Sequence, residues 1–192
     1  GPRILDGVKV LDFTAVIAGS YCTRMMADLG AAVLKVEGLS GEILRHAGPM
    51  RGKTSALFSA MNSGKRCLSL DLKQDRAIEI CRGLVKTHDV VVENFSPGVM
   101  QRLGLEYEKL QELNEQLIMC SVSGYGQTGP EAWRPAYAPI VQATSGFEYV
   151  YLRSQVGQTK TLNMGLPIGD TGAAQQAFGA IMAALYHREK TG

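Results

Sequence analysis

Asp170 is the residue of this sequence best placed for covalent chemistry. It follows a nearly uncharged stretch, residues 166–169, and precedes small residues that would leave its carboxylate accessible at the start of a helix. A carboxylate there could act as a nucleophile and form an acyl anhydride or an enzyme thioester. It could equally cap the helix N-terminus, which stabilises a helix by about 1 kcal/mol. The residues alone leave both roles open, and capping is the commoner of the two.

Two other segments carry groups that could hold phosphate or an aromatic base. Residues 94–98 place an amide, an aromatic ring and a tight turn directly after an apolar strand, and Arg102 lies one helical turn further on. Residues 62–73 place cationic side chains on both sides of a short strand. The structural alternatives are a strand-to-helix junction with a buried Phe95, and a solvated loop whose charges keep an edge strand polar.

Several familiar sites are not encoded. Residues 14–19, after the first predicted strand, contain one glycine where a dinucleotide-binding loop needs three, so we do not expect NAD, although Glu37 stands near the position of a ribose-binding acid. The sequence has no Gly-x-Ser-x-Gly motif of the kind that carries a hydrolase nucleophile. Its four cysteines and three histidines lack metal-ligand spacing, so we expect no metal.

Short apolar strands alternate with helical patterns along the chain, which is typical of βαβ units. Strands are predicted at residues 8–13, 32–37, 67–72, 89–93 and 117–122, and helices at 19–29, 74–87, 106–113 and from Asp170 to about residue 190. This alternation predicts an α/β fold with a doubly wound, mostly parallel, Rossmann-like sheet. Ligands of such a sheet bind beyond the carboxyl ends of the strands, where we expect four loops to converge: 14–19, 37–46, 93–98 and 123–130.

Composition limits the class of partner. The 192 residues are 45% hydrophobic and 20% charged, as in ordinary globular proteins. A formal charge of +2 without a basic run gives no reason to expect nucleic acid or a membrane surface as partner. Four cysteines without a dense framework fit a reducing compartment, so we expect a cytoplasmic location, or an organelle matrix if a targeting segment was removed.

Taken together, six ordered motifs resemble the family III CoA-transferases, and the resemblance covers essentially the whole chain. The motifs are residues 5–12, 26–31 with 35–37, 62–73, 92–95 with 97–98, 123–126, and 169–170 with 188–192. The resemblance implies transfer of CoA between an acyl-CoA thioester and a small carboxylic acid through an aspartyl-CoA intermediate, with Asp170 as the nucleophile. An acyl-CoA racemase or isomerase of the same fold and a CoA-binding module without turnover are the alternatives.

The resemblance also assigns residues to the CoA site. The implied contacts are Val16, Arg45, Leu70, Lys73, Asn94, Phe95, Arg102, Leu103 and Tyr137. Arginine and lysine suit the phosphates of CoA, whereas the apolar residues suit its adenine and pantetheine.

Three positions bear on which branch of the family the chain resembles. Tyr137 stands where the racemases use a histidine, which favours transfer, and Ile17 and Gly38 replace polar or basic residues and argue against oxalate as the acceptor. We expect residues 1–192 to form the N-terminal part of a CoA-binding α/β domain, without the small domain and returning segment of the family. A homodimer is implied.

Overall fold

A five-stranded parallel sheet forms the centre of the computed structural model, which describes residues 1–160 and 165–192. In chain order the strands are β1 (Lys9–Asp12), β2 (Ala32–Glu37), β3 (Met50–Arg51), β4 (Thr54–Ser55), β5 (Arg66–Ser69), β6 (Val90–Glu93) and β7 (Ile118–Ser121). The sheet has the order β5-β2-β1-β6-β7, and β3 and β4 form a separate antiparallel pair. The predicted parallel α/β fold is therefore confirmed.

Helices of varied length connect these strands or follow the last of them. They are α1 (Ala18–Asp28), α2 (Ala56–Asn62), α3 (Asp75–Val85), α4 (Val99–Arg102), α5 (Tyr107–Gln111), α6 (Ala138–Thr144), α7 (Phe147–Arg153) and α8 (Ile168–Thr191), with a short 3-10 helix at Ile43–His46. None of the helices in the two described ranges is both long and apolar enough to cross a bilayer.

Successive side chains of the central strands enter two different cores, because strand residues alternate between the two faces of a sheet. In β6, Val90 and Val92 lie in a core built with α1 and α8, whereas Val91 lies in a core built with α3, α4 and α5. All three valines are fully buried. This burial on both faces explains why β6 reads as a continuous apolar run.

The predicted element bounds agree with the structure within two residues except at β5. We predicted that strand at residues 67–72, but it ends at Ser69. Its pairing partner β2 ends at Glu37, which lies opposite Ser69, and the last hydrogen bond between the two segments runs from the Leu70 amide to the Glu37 carbonyl at 2.9 Å. Leu70 and Leu72, which continued the apolar pattern, pack instead against the core under α3.

The last helix starts two residues earlier than predicted. The helix begins at Ile168, with Pro167 at the N-cap and no side-chain capping hydrogen bond. Proline suits this place because its missing N–H needs no intrahelical acceptor there. Asp170 is therefore the third residue of α8 and does not cap it, so N-capping no longer explains this residue.

Candidate active site

The strand order reverses between β1 and β6, and the loops that follow these two strands are tied together by Asn94. Its Oδ1 accepts a hydrogen bond from the Ala15 amide and its Nδ2 donates to the Ala15 carbonyl, both at 2.8 Å. The two loops therefore meet at the carboxyl end of the sheet. A reversal of strand order is where ligands of open α/β sheets bind.

A cavity of about 300 Å³ opens beside this junction. Its walls come from the loops after β1, β6 and β7, from residues 134–138, from Val141 of α6 and from the first turn of α8. Three of the four predicted loops thus contribute to it, whereas the loop at 37–46 does not. Five of the predicted site residues line it: Val16, Asn94, Phe95, Tyr137 and Asp170.

The Asp170 carboxylate lies half-buried in this cavity. Within the described residues no hydrogen bond or ion pair reaches its oxygens, and burial raises the pKa of its carboxyl group. Its place in the first turn of α8 favours a negative charge, because the unpaired amides of a helix N-terminus carry partial positive charge. The group is therefore an accessible carboxylate with lone pairs available for attack on a carbonyl carbon.

A close backbone approach brings two of the cavity walls together. A Cβ built at Gly124 would lie 2.1 Å from the Cβ of Ala136, so only glycine fits. Arg134, on the same wall as Ala136, pairs with Glu131 at 2.7 Å and lies over the Tyr125 ring. The loop at 123–130 was predicted from the sequence to lie at the ligand edge, but Arg134 was missed because its only signal was a lone cation after that loop.

Arg45 lies outside the cavity, in an ion pair. Both its Nε, at 2.7 Å, and its Nη2 donate to the Glu37 carboxylate, and its guanidinium lies 3.9 Å from the centroid of the Phe58 ring. The hydrogen bonds from Arg45 lower the pKa of Glu37 to about 2. Any phosphate bound by Arg45 would have to share this cation with Glu37.

The remaining predicted contacts fall into two groups. Leu70 and Leu103 pack, with Phe95, against the core under α3. Lys73 and Arg102 are exposed, and neither side chain has an ion-pair partner in the described parts of the chain. Their positions leave both cations available to an anionic ligand.

Lys65 lies in the segment 62–73, for which the alternatives were phosphate binding and a solvated loop. The structure supports neither role for this lysine. Its side chain is fully buried and pairs with the equally buried Asp12 at 3.0 Å. The same ammonium donates to the Ser20 carbonyl and to the Asn62 side chain, both at 2.9 Å. Lys65 is a structural cation beneath the loop that follows β1.

The chain belongs to CoA-transferase family III, whose model matches residues 5–192. It is 35% identical to a succinyl-CoA:glutarate CoA-transferase of Homo sapiens over 190 residues, 98% of this chain and 43% of that protein. It is 42% identical to an acetyl-CoA:oxalate CoA-transferase of Acetobacter aceti over 188 residues, 97% of this chain and 48% of that protein. The chain therefore spans about half the length of these relatives, and the resemblance seen in the sequence is confirmed.

Solved structures agree with this assignment. A CAIB/BAIF family protein from Brucella suis superposes with a TM-score of 0.90 at 35% identity, covering 100% of this chain and 51% of that one. A hypothetical protein from Mycobacterium tuberculosis gives 0.88 at 34% identity, covering 99% and 53%. Within the described residues no group of three or more histidine, cysteine, aspartate or glutamate side chains could hold a metal ion.

Proposed function

We propose that the protein moves CoA from an acyl-CoA thioester to a carboxylic acid and that Asp170 is the covalent nucleophile. The observation that carries this proposal is the half-buried Asp170 carboxylate in the cavity at the strand-order reversal, which has no hydrogen-bond or ion-pair partner among the described residues. The names of the relatives, which are CoA-transferases acting with glutarate or oxalate, support the reaction class.

The proposed reaction needs no oxidant or cofactor. An Asp170 oxygen attacks the thioester carbonyl, the C–S bond breaks, and CoA leaves as a thiolate, which produces a mixed anhydride between Asp170 and the donor acyl group. The thiolate attacks the Asp170 carbonyl carbon of this anhydride, which releases the donor acid and leaves an aspartyl-CoA thioester. The acceptor carboxylate attacks this thioester and expels the thiolate, which produces a second mixed anhydride between Asp170 and the acceptor. The thiolate attacks the acceptor's acyl carbon in that anhydride, the C–O bond to Asp170 breaks, and the products are acceptor acyl-CoA and the free Asp170 carboxylate.

The composition of the cavity favours transfer over racemisation. Proton exchange at an α-carbon needs an acid and a base on opposite sides of that carbon. The chain's three histidines, at 46, 88 and 187, do not line the cavity, and the residue predicted at the racemase histidine position is Tyr137, which does. Asp170 therefore has no imidazole partner in the described lining.

We also propose that the acceptor is not oxalate. Ile17 lines the cavity with an apolar side chain, which offers no hydrogen bond to a second carboxylate held close to the first. Gly38 does not line the cavity, so only one of the two substitutions noted in the sequence bears on this point.

Trapping tests the nucleophile directly. The full-length protein carrying these residues is incubated with short acyl-CoAs and then with hydroxylamine or borohydride, and the adduct is located by intact-mass and peptide mass spectrometry. We expect modification of Asp170, and none in an Asp170→Asn control. An adduct elsewhere, or transfer without an adduct, contradicts the proposal, and CoA binding without adduct or transfer supports a binding module.

Arg102 provides a test of the CoA site. We expect Arg102→Ala to weaken CoA binding by roughly tenfold, because a charge-assisted hydrogen bond to a phosphate contributes about 1.5–3 kcal/mol, while turnover of the bound substrate stays nearly unchanged. Calorimetry with CoA measures the first quantity and saturation kinetics the second. Arg76→Ala, at an equally exposed cation of α3, is the matched control, and equal affinities of the two variants would make Arg102 a surface charge only.

A further inference from the structure

One cavity residue has an unusual backbone. Val16 has a φ of 61°, which makes it the one residue other than glycine with a positive φ among those that the structure describes. A β-branched side chain strongly disfavours this left-handed region, because its branches crowd the neighbouring backbone. Strained conformations of this kind persist only where surrounding contacts hold them.

The contact that holds Val16 comes from outside the cavity. Its amide donates to Oε2 of Glu42 at 3.1 Å, across 26 residues of sequence. Glu42 belongs to the segment 37–46, the one predicted loop that does not reach the cavity itself. The carboxylate of Glu42 is therefore the link between that segment and the cavity wall.

Hydrogen bonds and an ion pair with three other residues fix the position of Glu42. Its Oε1 accepts a hydrogen bond from Asn62 at 3.2 Å, its Oε2 pairs with the buried Lys35 at 3.5 Å, and its amide donates to Glu37 at 3.0 Å. Its side chain is 4% exposed. A carboxylate with this many partners is a rigid acceptor, which is what the strained Val16 amide requires.

Lys35 holds the residues just before Val16. Its ammonium donates to the Thr14 carbonyl at 2.6 Å and is also fully buried. The backbone from Thr14 to Val16 is therefore held at two points by the same ion pair, while Asn94 holds Ala15 between them.

We infer that Glu42 is a positioning residue for the reaction proposed above: it holds Val16 in the left-handed conformation and so fixes the cavity wall beside the substrate of Asp170. The inference rests on the proposed transfer and adds a residue that does not itself line the cavity. Its physical basis is that a small displacement of a substrate-positioning segment slows a reaction that depends on near-contact geometry.

A double-mutant cycle in the full-length protein separates positioning from a purely structural role. We expect Glu42→Met, which removes the acceptor at similar size, to lower kcat on the order of tenfold to a hundredfold. In a Val16→Gly background the same change should cost much less, because glycine adopts a positive φ without help. In a Val16→Ala background, where the side chain is shortened but positive φ stays disfavoured, the cost should remain.

Controls make each outcome decisive. Glu42→Gln keeps one acceptor oxygen and should recover part of the turnover, and it replaces Glu42→Met in the cycle if the latter does not fold. Glu79→Gln, at an exposed ion pair of α3, should have no effect. Equal losses from the Glu42 change in the three backgrounds, or unchanged kcat in Glu42→Met, would overturn the inference.

Amide hydrogen exchange distinguishes failure of this inference from failure of the proposed function. Peptides covering residues 14–18 should exchange faster in Glu42→Met than in the wild type, whatever reaction the protein performs. If the wild type transfers no CoA but exchange rises, the proposed function fails and the hold on Val16 stands. If the exchange is unchanged, or if it rises while kcat stays constant, the positioning role is wrong.

Discussion

Replacing Asp170 with asparagine or alanine is expected to abolish CoA transfer while leaving CoA bound nearly as tightly as before. No other described carboxylate lines the cavity, so none can take over the attack on the thioester. Removal of a covalent nucleophile typically lowers kcat by a factor on the order of ten thousand or more. Steady-state transfer assays measure the rate, and calorimetry with CoA measures the affinity.

Glu189→Gln is the matched control for these variants, because it neutralises an exposed carboxylate on the same helix, far from the cavity. It should retain wild-type kcat. Transfer by Asp170→Ala at a rate close to that of the wild type would remove Asp170 from the mechanism, and loss of CoA binding in Asp170→Asn would indicate a binding role instead.

The dependence of the rate on pH offers a second measure of the same group. Attack requires the ionised carboxylate, and burial raises the pKa of Asp170 above its ordinary value of 3.8. The acidic limb of kcat/KM, which reports the free enzyme, should therefore bend at a pH above 3.8. An acidic limb with no bend above that pH would contradict a buried nucleophile.

The largest expected loss of stability follows from breaking the buried Asp12–Lys65 pair. Both side chains are fully buried, and Asp12 also accepts hydrogen bonds from Thr14 and Thr23. Lys65→Met leaves Asp12 as a buried carboxylate without its nearest cation, which typically costs about 3–5 kcal/mol in the free energy of unfolding. Denaturant unfolding measures this loss.

Two further variants test whether the unpaired buried charge causes this loss of stability. Arg76→Met, at the exposed Arg76–Glu79 pair of α3, should change stability by less than about 1 kcal/mol. Asp12→Asn combined with Lys65→Met should cost less than the sum of the single changes, because the unpaired charge is gone. A loss below about 1 kcal/mol in Lys65→Met would show that the pair contributes little.

Asp12 also determines how the free energy of unfolding depends on pH in the acidic range. Burial by itself would raise the pKa of Asp12, but Lys65, Lys35 and the two threonine hydroxyls outweigh it and hold the pKa below 3.8. A carboxyl group with a lowered pKa in the folded state stabilises the protein above its unfolded pKa, and that contribution is lost as the pH falls through the folded value. Asp12→Asn should remove this acid-dependent part of the stability.

The sequence was sufficient to predict the sheet because its central strands are buried on both faces and read as apolar runs. It could not predict the burial of Lys65, because lysine is ordinarily exposed and its partner Asp12 lies 53 residues away. Nor could it predict the positive φ of Val16, which depends on Glu42. The short helices α2, α6 and α7 were missed because seven residues are too few to establish a helical period.

The candidate site could also be predicted only in part. Motif resemblance identified residues that the fold brings to one cavity, such as Asn94 and Tyr137, but it does not report which of these side chains are already engaged. Asn94 uses two of its hydrogen bonds on the backbone of Ala15, and Arg45 is held by Glu37. These intramolecular contacts depend on the tertiary structure, so they cannot be predicted from sequence motifs.

Because α8 is long, a small tilt about its C-terminal end would displace Asp170, which lies near its N-terminus. Near its other end, Arg188 is anchored to Asp89 at 2.9 Å, and Asp89 also accepts the Lys9 amide, at the opposite edge of the sheet from the cavity. At 1.5 Å of rise per residue, Asp170 and Arg188 lie about 27 Å apart along the axis. A tilt of roughly two degrees about the anchored end would move Asp170 by about 1 Å, a misplacement large enough to slow catalysis. Small residues such as Ala174 and Ala177, about one and two turns beyond Asp170, pack in the core between α8 and α1, and this contact therefore limits the tilt that would displace the carboxylate.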